Sequence, residues 1–276
     1  MIARETARRR PILGRIAARV RDETGRILFS LARARHRGGC ISFTSARLLA
    51  GIPAASDGLS QLQLDRLRQV EPTMAGAVRR LVLAGETNPF SLGTEALNFV
   101  DERIRRLRPN AVLEFGSGVS TLVLTSCMVE LHGNRTPRVF SVDESEDYLH
   151  ATERMLAAAD LDRCARLAHR RVREQPIRGQ RVLCYDVDDD FLRTFMTAAP
   201  DFLLVDGPSG GGMVRFGTLP LVVGHVGTPC RFLLDDALRE DELLVASRWQ
   251  KLPDVRLIGI HLVGHGLLEG VVVRQG

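Results

Sequence analysis

The chain has 276 residues, of which 45% are hydrophobic and 26% charged. That balance excludes a disordered or collagen-like protein, and the length suffices for one large α/β domain with a smaller appendage, built without disulfide or metal staples. The five cysteines, Cys40, Cys127, Cys164, Cys184 and Cys230, are an odd number without a CxxC pair, so a reduced, cytoplasmic protein is expected.

The net charge of +5 hides an asymmetry. Residues 1–110 carry 20 Arg against 10 Asp and Glu, a net +10, whereas residues 111–276 come to −5. A basic segment can meet nucleic acid, acidic lipid or a phosphorylated substrate. Lys251 is the only lysine, however, so part of the excess reflects a bias towards arginine, and a solvated helical face is the plainer expectation. Arg15, Arg19 and Arg21 interrupt any secretory core behind the Arg8–Arg10 cluster. The longest apolar run, Leu219 to Leu234, is broken by His225, Pro229 and Arg231, so no membrane span is expected.

From the N-terminus, Ile12, Ile16, Val20, Ile27, Leu28 and Leu31 recur at helical spacing between arginines and predict an amphipathic helix. It needs an apolar partner, either the body of the chain or a second copy, with a membrane surface as the sharper alternative. Gly38, Gly39 and the Gly51–Gly58 region predict loops between short helical pieces, and a further helix is expected over Leu62–Leu83, with a break at Asn88 and Pro89. Thr94 is the expected cap of a helix running to Leu107 and ended by Pro109.

Strands are then predicted over 112–115, 138–142, 165–172, 202–205, 231–234, 255–261 and 270–274, with helices over 120–131, 145–159, 189–198, 213–223 and 239–250. This alternation predicts a mostly parallel sheet covered on both faces. The last two strands, joined by Gly264, His265 and Gly266, leave no room for a crossover helix and must pair antiparallel.

The strongest chemical signal is VLEFGSGVSTLVL over 112–124. A strand ending in Glu114, a turn of Gly116, Ser117 and Gly118, and a helix beginning at Ser120 let a ligand approach bare backbone at a helix N-terminus. The next strand, RVFSVDES, ends in Asp143, 25 positions beyond Gly118, where a carboxylate can accept hydrogen bonds from the vicinal hydroxyls of a ribose. The strand DFLLVDGPSGG places Asp206 at the carboxyl edge of the sheet, and RFLLDDALREDE places Asp235 and Asp236 one strand further out. Three carboxylates on one rim need a divalent cation, a hydroxyl proton, or Arg215 and Arg239 to offset their repulsion.

On these motifs residues 94–276 resemble the class I S-adenosylmethionine-dependent methyltransferases. The resemblance implies a Rossmann-like, seven-stranded, mostly parallel sheet with an antiparallel last strand. A basic helical region over 1–90 would precede the methyltransferase domain over 91–276. A dinucleotide-binding dehydrogenase would share the first turn, but Thr121 stands where GxGxxG has its third glycine. By resemblance, Glu114 sits by the methionine part of the cofactor, the Gly116–Gly118 backbone passes under it, and Asp143 holds the ribose; Ser120 replaces a glycine common in the family, and Asp206 borders the same site. Asp206, Asp235 and Asp236 look like a variant of the magnesium triad of catechol-type O-methyltransferases, with Asp for Asn. The run FGSGVST, Tyr185-Asp186, VDGP and Asp235-Asp236-x-x-Arg239-x-x-Glu242 is similar to the bacterial methyltransferase-domain group and to glucuronoxylan-type sugar O-methyltransferases.

No NPPY-like run and no positioned cysteine follow the fourth strand, so a hydroxyl acceptor fits better than a base nitrogen or cytosine carbon. The expected activity is methyl transfer from S-adenosylmethionine, with Mg2+ as an optional helper, to a hydroxyl of a sugar or polyhydroxylated small molecule. Asp206, Asp235 and Asp236 are the expected catalytic carboxylates and, if a metal takes part, its ligands. A homodimer is compatible with the N-terminal helix. The competing readings are an RNA or phosphorylated-substrate methyltransferase, an inactive cofactor-binding partner subunit, and transfer of another group such as aminopropyl on the same fold. His261 could be a base at the rim, although a histidine satisfied by one hydrogen bond is the commoner case, and Trp249 is expected in the core.

Overall fold

The computed structural model describes residues 43–52, 92–133 and 135–273. The helices expected over 12–31 and 62–83, and the loops near Gly38 and Asn88, lie outside the described residues. A short helix, α1 (Phe43–Gly51), is followed in chain order by α2 (Thr94–Leu107), β1 (Val112–Phe115), α3 (Val119–His132), β2 (Val139–Asp143) and α4 (Glu146–Ala158). Next come β3 (Ala165–His169), β4 (Val172–Ile177), β5 (Gln180–Tyr185), α5 (Asp189–Phe195) and β6 (Phe202–Val205). A 3-10 turn (Val214–Gly217), α6 (Thr218–Val222), β7 (Cys230–Leu234), α7 (Glu240–Trp249), β8 (Val255–His261) and β9 (Leu267–Val272) complete the order.

Seven strands form one sheet in the order β3-β2-β1-β6-β7-β9-β8. All neighbours are parallel except β9, which runs antiparallel to both β7 and β8. Strand direction therefore brings the carboxyl ends of β1, β2, β6 and β7 to one edge, and the order reverses between β1 and β6, where open α/β sheets bind ligands.

Period-two alternation divides the central strands between two apolar layers. Leu113, Phe115, Leu203 and Val205 join the layer that holds α5, α6 and Trp249 of α7, whereas Val112, Phe202 and Leu204 join the layer of α2 and α3. Burial on both faces explains why these strands read as continuous apolar runs. Helix α1 packs on α7, with Leu48, Leu49 and Ile52 against the first layer.

Helix ends follow local chemistry. Ser145 accepts from the Tyr148 N–H at the start of α4, and Asp188 accepts from the Phe191 N–H at the start of α5. Helix α2 stops at Arg108, whose left-handed φ of 50° lets its N–H reach the Ile104 carbonyl, one residue before Pro109.

Several expectations need correction. Thr94 is the first helical residue rather than the cap, and Gly93 holds the cap position without a side-chain bond. The strand expected over 165–172 is two strands: β3 ends at His169, and β4 begins an antiparallel hairpin with β5. Its turn uses left-handed backbone at Arg178 and Gly179, with φ of 48° and 77°, the signature of a primed hairpin turn written here with arginine instead of asparagine. The helix expected over 213–223 is the 3-10 turn plus the five-residue α6; Pro220, without an N–H, and Gly217, pressed on Cys184, interrupt a regular start. Helix α5 ends at Phe195, short of the expected residue 198, and β9 starts at Leu267, three residues before the expected 270.

Gly270 in β9 is required by packing. A Cβ there would overlap the Phe232 ring, which itself meets Trp249 edge-on at 5.5 Å between centroids. Gly270→Ala is therefore expected to lower stability by roughly 1–3 kcal/mol. Thermal unfolding checks this, and Phe232→Leu in the same chain should return part of the loss; equal stability of Gly270→Ala and the parent would refute the overlap.

Candidate active site at the carboxyl edge of the sheet

The turn after β1 and the loop after β6 meet backbone to backbone. Phe115 O accepts from the N–H groups of Asp206 and Gly207 at 2.8 and 2.7 Å, and the Gly116 N–H donates to Val142 O at 2.8 Å. Gly116 has φ of 93°, and a Cβ on it would lie 2.8 Å from the Gly207 nitrogen. Glycine at 116 is thus demanded twice, by backbone conformation and by the neighbouring loop. A Cβ at Gly118, by contrast, would meet nothing within 4 Å, so this side of the turn stays open to a ligand.

Glu114 lies fully buried beneath the turn on the α3 face. Its Oε2 accepts from Thr121 Oγ1 at 2.5 Å and Ser141 Oγ at 2.8 Å, and Thr121 Oγ1 also accepts from the Gly118 N–H at 3.0 Å. Thr121, at the position of the missing third glycine, therefore holds the turn to the strand beneath it. Glu114 Oε1 is buried without a hydrogen-bond partner among the described residues. Burial pushes the Glu114 carboxyl up to about 7, against hydrogen bonds from Ser120, Thr121 and Ser141 that favour the charged form. Ser120 is itself buried in the first turn of α3.

Asp143 ends β2 and locks the turn from the other side. Its Oδ2 accepts from the Ser117 N–H and Oγ at 2.5 and 2.7 Å, and its Oδ1 accepts from the Ser145 N–H at 2.7 Å. The next residue, Glu144, has a structural role that sequence reasoning missed. Its Oε1 accepts from the Ser209 N–H and Oγ at 2.7 and 2.6 Å, and its Oε2 accepts from the Tyr185 hydroxyl at 2.6 Å. Burial pushes this carboxyl up, but the Ser209 and Tyr185 bonds outweigh it and hold Glu144 below its ordinary range. Tyr185, buried and stacked on Phe115 at 5.4 Å, thus ties the hairpin to the loops after β2 and β6. The adjacent carboxylates in VDES were the only signal for Glu144.

Asp206, Asp235 and Asp236 come together as expected, each offering an oxygen within 4.8 Å of the others. Asp236 has a left-handed φ of 57°, and the Asp235 N–H donates to Val205 O at 2.9 Å. Burial, then the charge of Asp235, drives the Asp206 carboxyl well up; burial, then the charge of Asp236, pushes Asp235 up to about 6. Asp235 does not cap α7, whose cap position is held by Arg239 without a side-chain bond.

Two arginines enter this cluster. Buried Arg215 places Nη2 at 3.4 Å from Asp206 Oδ1, and its Nη1 at 3.4 Å from Asp236 Oδ2, 3.7 Å from Glu242 Oε1 and 3.1 Å from the Asp235 carbonyl. Arg239 Nη1 adds a contact of 2.9 Å to Asp236 Oδ2.

The histidines stand apart. His261 Nε2 lies 2.6 Å from Glu269 Oε2, in a buried group with Arg103 and Phe99 on the α2 face, while Nδ1 is buried without a hydrogen-bond partner among the described residues, so the ring is held in the core and is no base at the rim. His225 pairs with Asp189 at 2.8 Å, and His265 is exposed in the β8–β9 turn. Trp249 is core, as expected, and donates from Nε1 to Phe216 O at 2.9 Å.

No family model matches the sequence, and no curated protein matches it either. Solved structures do match. A methyltransferase from Geobacter sulfurreducens is 16% identical, with a TM-score of 0.52 over 78% of this chain and 98% of its own. The O-methyltransferase from Bacillus cereus in complex with SAH is 13% identical, with a TM-score of 0.55 over 75% of this chain and 96% of its own. The Streptomyces achromogenes O-methyltransferase TomG, involved in tomaymycin synthesis and solved with SAM, is 14% identical, with a TM-score of 0.53 over 72% and 91%. This chain therefore has the α/β, Rossmann-like fold found in S-adenosylmethionine-dependent O-methyltransferases.

Because the folded Glu114 prefers its proton, its contribution to stability is complete below its ordinary value of 4.5 and is lost as pH rises through about 7. Glu114→Gln, which cannot ionise, should narrow the stability difference between pH 5 and pH 8 by up to roughly 3 kcal/mol. Denaturant unfolding at the two pH values measures it, and an unchanged difference would show that Glu114 is ionised in the fold at no cost.

Proposed function

We propose that this chain transfers a methyl group from S-adenosylmethionine to a hydroxyl of a sugar or other polyhydroxylated small molecule. The observation that carries the proposal is the clustering of Asp206 and Asp235, two carboxylates with raised proton affinity, at the ends of the two strands next to the open glycine turn. The Bacillus cereus O-methyltransferase was solved with SAH and TomG with SAM, and this chain shares their fold; the assignment of roles rests on this chain's own residues.

Those residues fit the cofactor. Gly118 leaves room beside the turn, and Glu114 keeps a buried oxygen without a hydrogen-bond partner among the described residues. S-adenosylmethionine, when bound, would supply a methyl carbon on a sulfonium sulfur, with the neutral thioether as the leaving group for a hydroxyl oxygen's attack. Gly116, Ser117 and Gly118 would present backbone to it, with Ser120 in the first turn of the helix behind. Asp143 Oδ1, which accepts only from the Ser145 N–H, keeps a lone pair for a ribose hydroxyl, whereas Oδ2 is filled by the Ser117 N–H and Oγ.

In-line displacement needs the acceptor oxygen aligned and its proton removed. Asp235 is assigned the role of proton acceptor and Asp206 the role of its partner, because two crowded carboxylates, one buried and one partly buried, share a proton unequally. Asp236, held by Arg215 and Arg239, orients the pair. A divalent cation would be held by Asp206, Asp235 and Asp236. By donor class they suit Mg2+, but Asp206 Oδ1 and Asp236 Oδ2 already face the Arg215 guanidinium, so this set does not fit the ion as it stands. We also assign residues 91–276 to the methyltransferase domain and residues 1–90 to a basic region beside it. No helix among the described residues is long and apolar enough to cross a membrane.

Calorimetric titration with S-adenosylhomocysteine is expected to show micromolar binding, weakened about 100-fold by Asp143→Ala, in keeping with the loss of charged hydrogen bonds. With a panel of sugars and polyols as acceptors, Asp235→Asn should lower kcat by roughly 100-fold or more while S-adenosylhomocysteine affinity is kept. Absence of binding by the parent protein would remove the methyltransferase reading.

A further inference from the structure

We infer that Arg215 is a resident cation that takes the place of a divalent ion among Asp206, Asp235 and Asp236, so that the carboxylate rim works without added metal. The inference deepens the reading of this edge as the acceptor site and rests on it.

The geometry is that of a seat already filled. A divalent ion needs several oxygens turned onto one point at about 2.0–2.6 Å. Here Asp206 Oδ1 and Asp236 Oδ2 turn instead towards the two Nη atoms of one guanidinium, and the Asp235 carbonyl accepts from the same Nη1 at 3.1 Å. Asp236 Oδ2 is shared further with Arg239. An arginine stays charged at any working pH, so the positive charge is permanent.

The rest of the structure holds Arg215 in place. Its carbonyl accepts from Thr218 Oγ1 at 2.8 Å, and the carbonyl of the next residue, Phe216, accepts from Trp249 Nε1 at 2.9 Å. Gly217 closes the turn against Cys184 and Ile177 of the β4–β5 hairpin, so closely that a Cβ would overlap Cys184. The hairpin, absent from the expected strand order, therefore buttresses the turn that carries the guanidinium. A fourth buried carboxylate, Glu242, lies 3.7 Å from Nη1. Its Oε2 has no hydrogen-bond partner among the described residues. A fourth acid behind the guanidinium balances an arginine's charge and adds nothing to the three oxygens a metal would meet.

Arg215 acts through the carboxylates and is a positioning residue. It offsets the repulsion of Asp206 and Asp236, fixes their orientation, and leaves the Asp235 carboxylate, which it meets only at the backbone, to take the acceptor's proton.

Mn2+ titrated into the chelator-treated full chain, followed by electron paramagnetic resonance, tests the inference without any methyl acceptor. The parent protein is expected to take up no Mn2+ below roughly millimolar concentration, whereas Arg215→Met should bind about one Mn2+ per chain, at least tenfold more tightly, by exposing three carboxylates. Asp206→Asn added to Arg215→Met should abolish that signal. A parent protein that binds one Mn2+ per chain, with the binding lost in Asp206→Asn alone, overturns the inference, and so does a folded Arg215→Met that binds none. Should Arg215→Met fail to fold, the parent titration still decides, and Arg215→Lys, which keeps the charge, is expected to exclude Mn2+ likewise; Mn2+ uptake by it would count against the inference. S-adenosylhomocysteine binding, measured separately, reports on the methyltransferase reading, so failure of the one is not mistaken for failure of the other.

Discussion

Three carboxylates, Asp206, Asp236 and Glu242, converge on one buried guanidinium at the carboxyl edge of the sheet, with the Asp235 carboxylate beside them, and much of the surrounding structure follows from keeping that arrangement neutral enough to fold. Taking charged groups out of water is expensive unless they are paired and hydrogen-bonded. Arg215 and Arg239 supply two positive charges against four acids, and the remainder is met by proton affinity: burial and mutual repulsion raise Asp206, Asp235 and Glu242 together. Such a cluster is poor evidence for stability, because apolar residues of similar volume would often serve as well. Its presence points to chemistry, since carboxylates that hold protons near neutrality are suited to exchanging them.

The turn side of the edge solves a different problem. A glycine turn open to a ligand has few side chains to hold it, so its rigidity must come from neighbours. Glu114 and Thr121 anchor it from below, Asp143 from the β2 side, and Gly207 by direct backbone approach. Glu144 then links Ser209 in the loop after β6 to Tyr185 at the end of the hairpin. A ligand bound here would meet a surface whose shape is set before it arrives, which lowers the ordering cost of binding.

Legibility in the sequence followed the range of the physics involved. Strands β1, β6 and β8 were readable to the residue, because continuous apolar runs bounded by Gly, Pro and acidic residues carry their own limits, and helix α2 was readable at its C-terminal end. The antiparallel last strand was readable because a three-residue turn excludes a crossover. The β4–β5 hairpin was not. Its residues alternate weakly, Pro176 and four charged positions dilute the strand pattern, and Arg178-Gly179 is an uncommon way to write its turn. The broken helix after residue 213 escaped for a similar reason, since the contact of Gly217 with Cys184 joins positions far apart in the chain.

At the site, the acids were legible as positions and illegible as partners. Asp143, Asp206, Asp235 and Asp236 could be found because strand ends are marked in the sequence, and Arg215 could be named as a counter-charge without knowing which oxygens it would meet. Glu144 gave almost no signal, since its partners Tyr185 and Ser209 lie 41 and 65 residues away. His261 shows the converse: its position at the end of a strand suggests the rim, but pleating turns its ring to the α2 face, where Glu269 and Phe99 receive it. Strand position fixes which edge a residue reaches, and the alternation of side chains decides which layer it serves. A carboxylate beyond the last strand residue escapes that alternation and can turn into the cleft, which is why the residues gathered at this edge come from the loops just past β6 and β7.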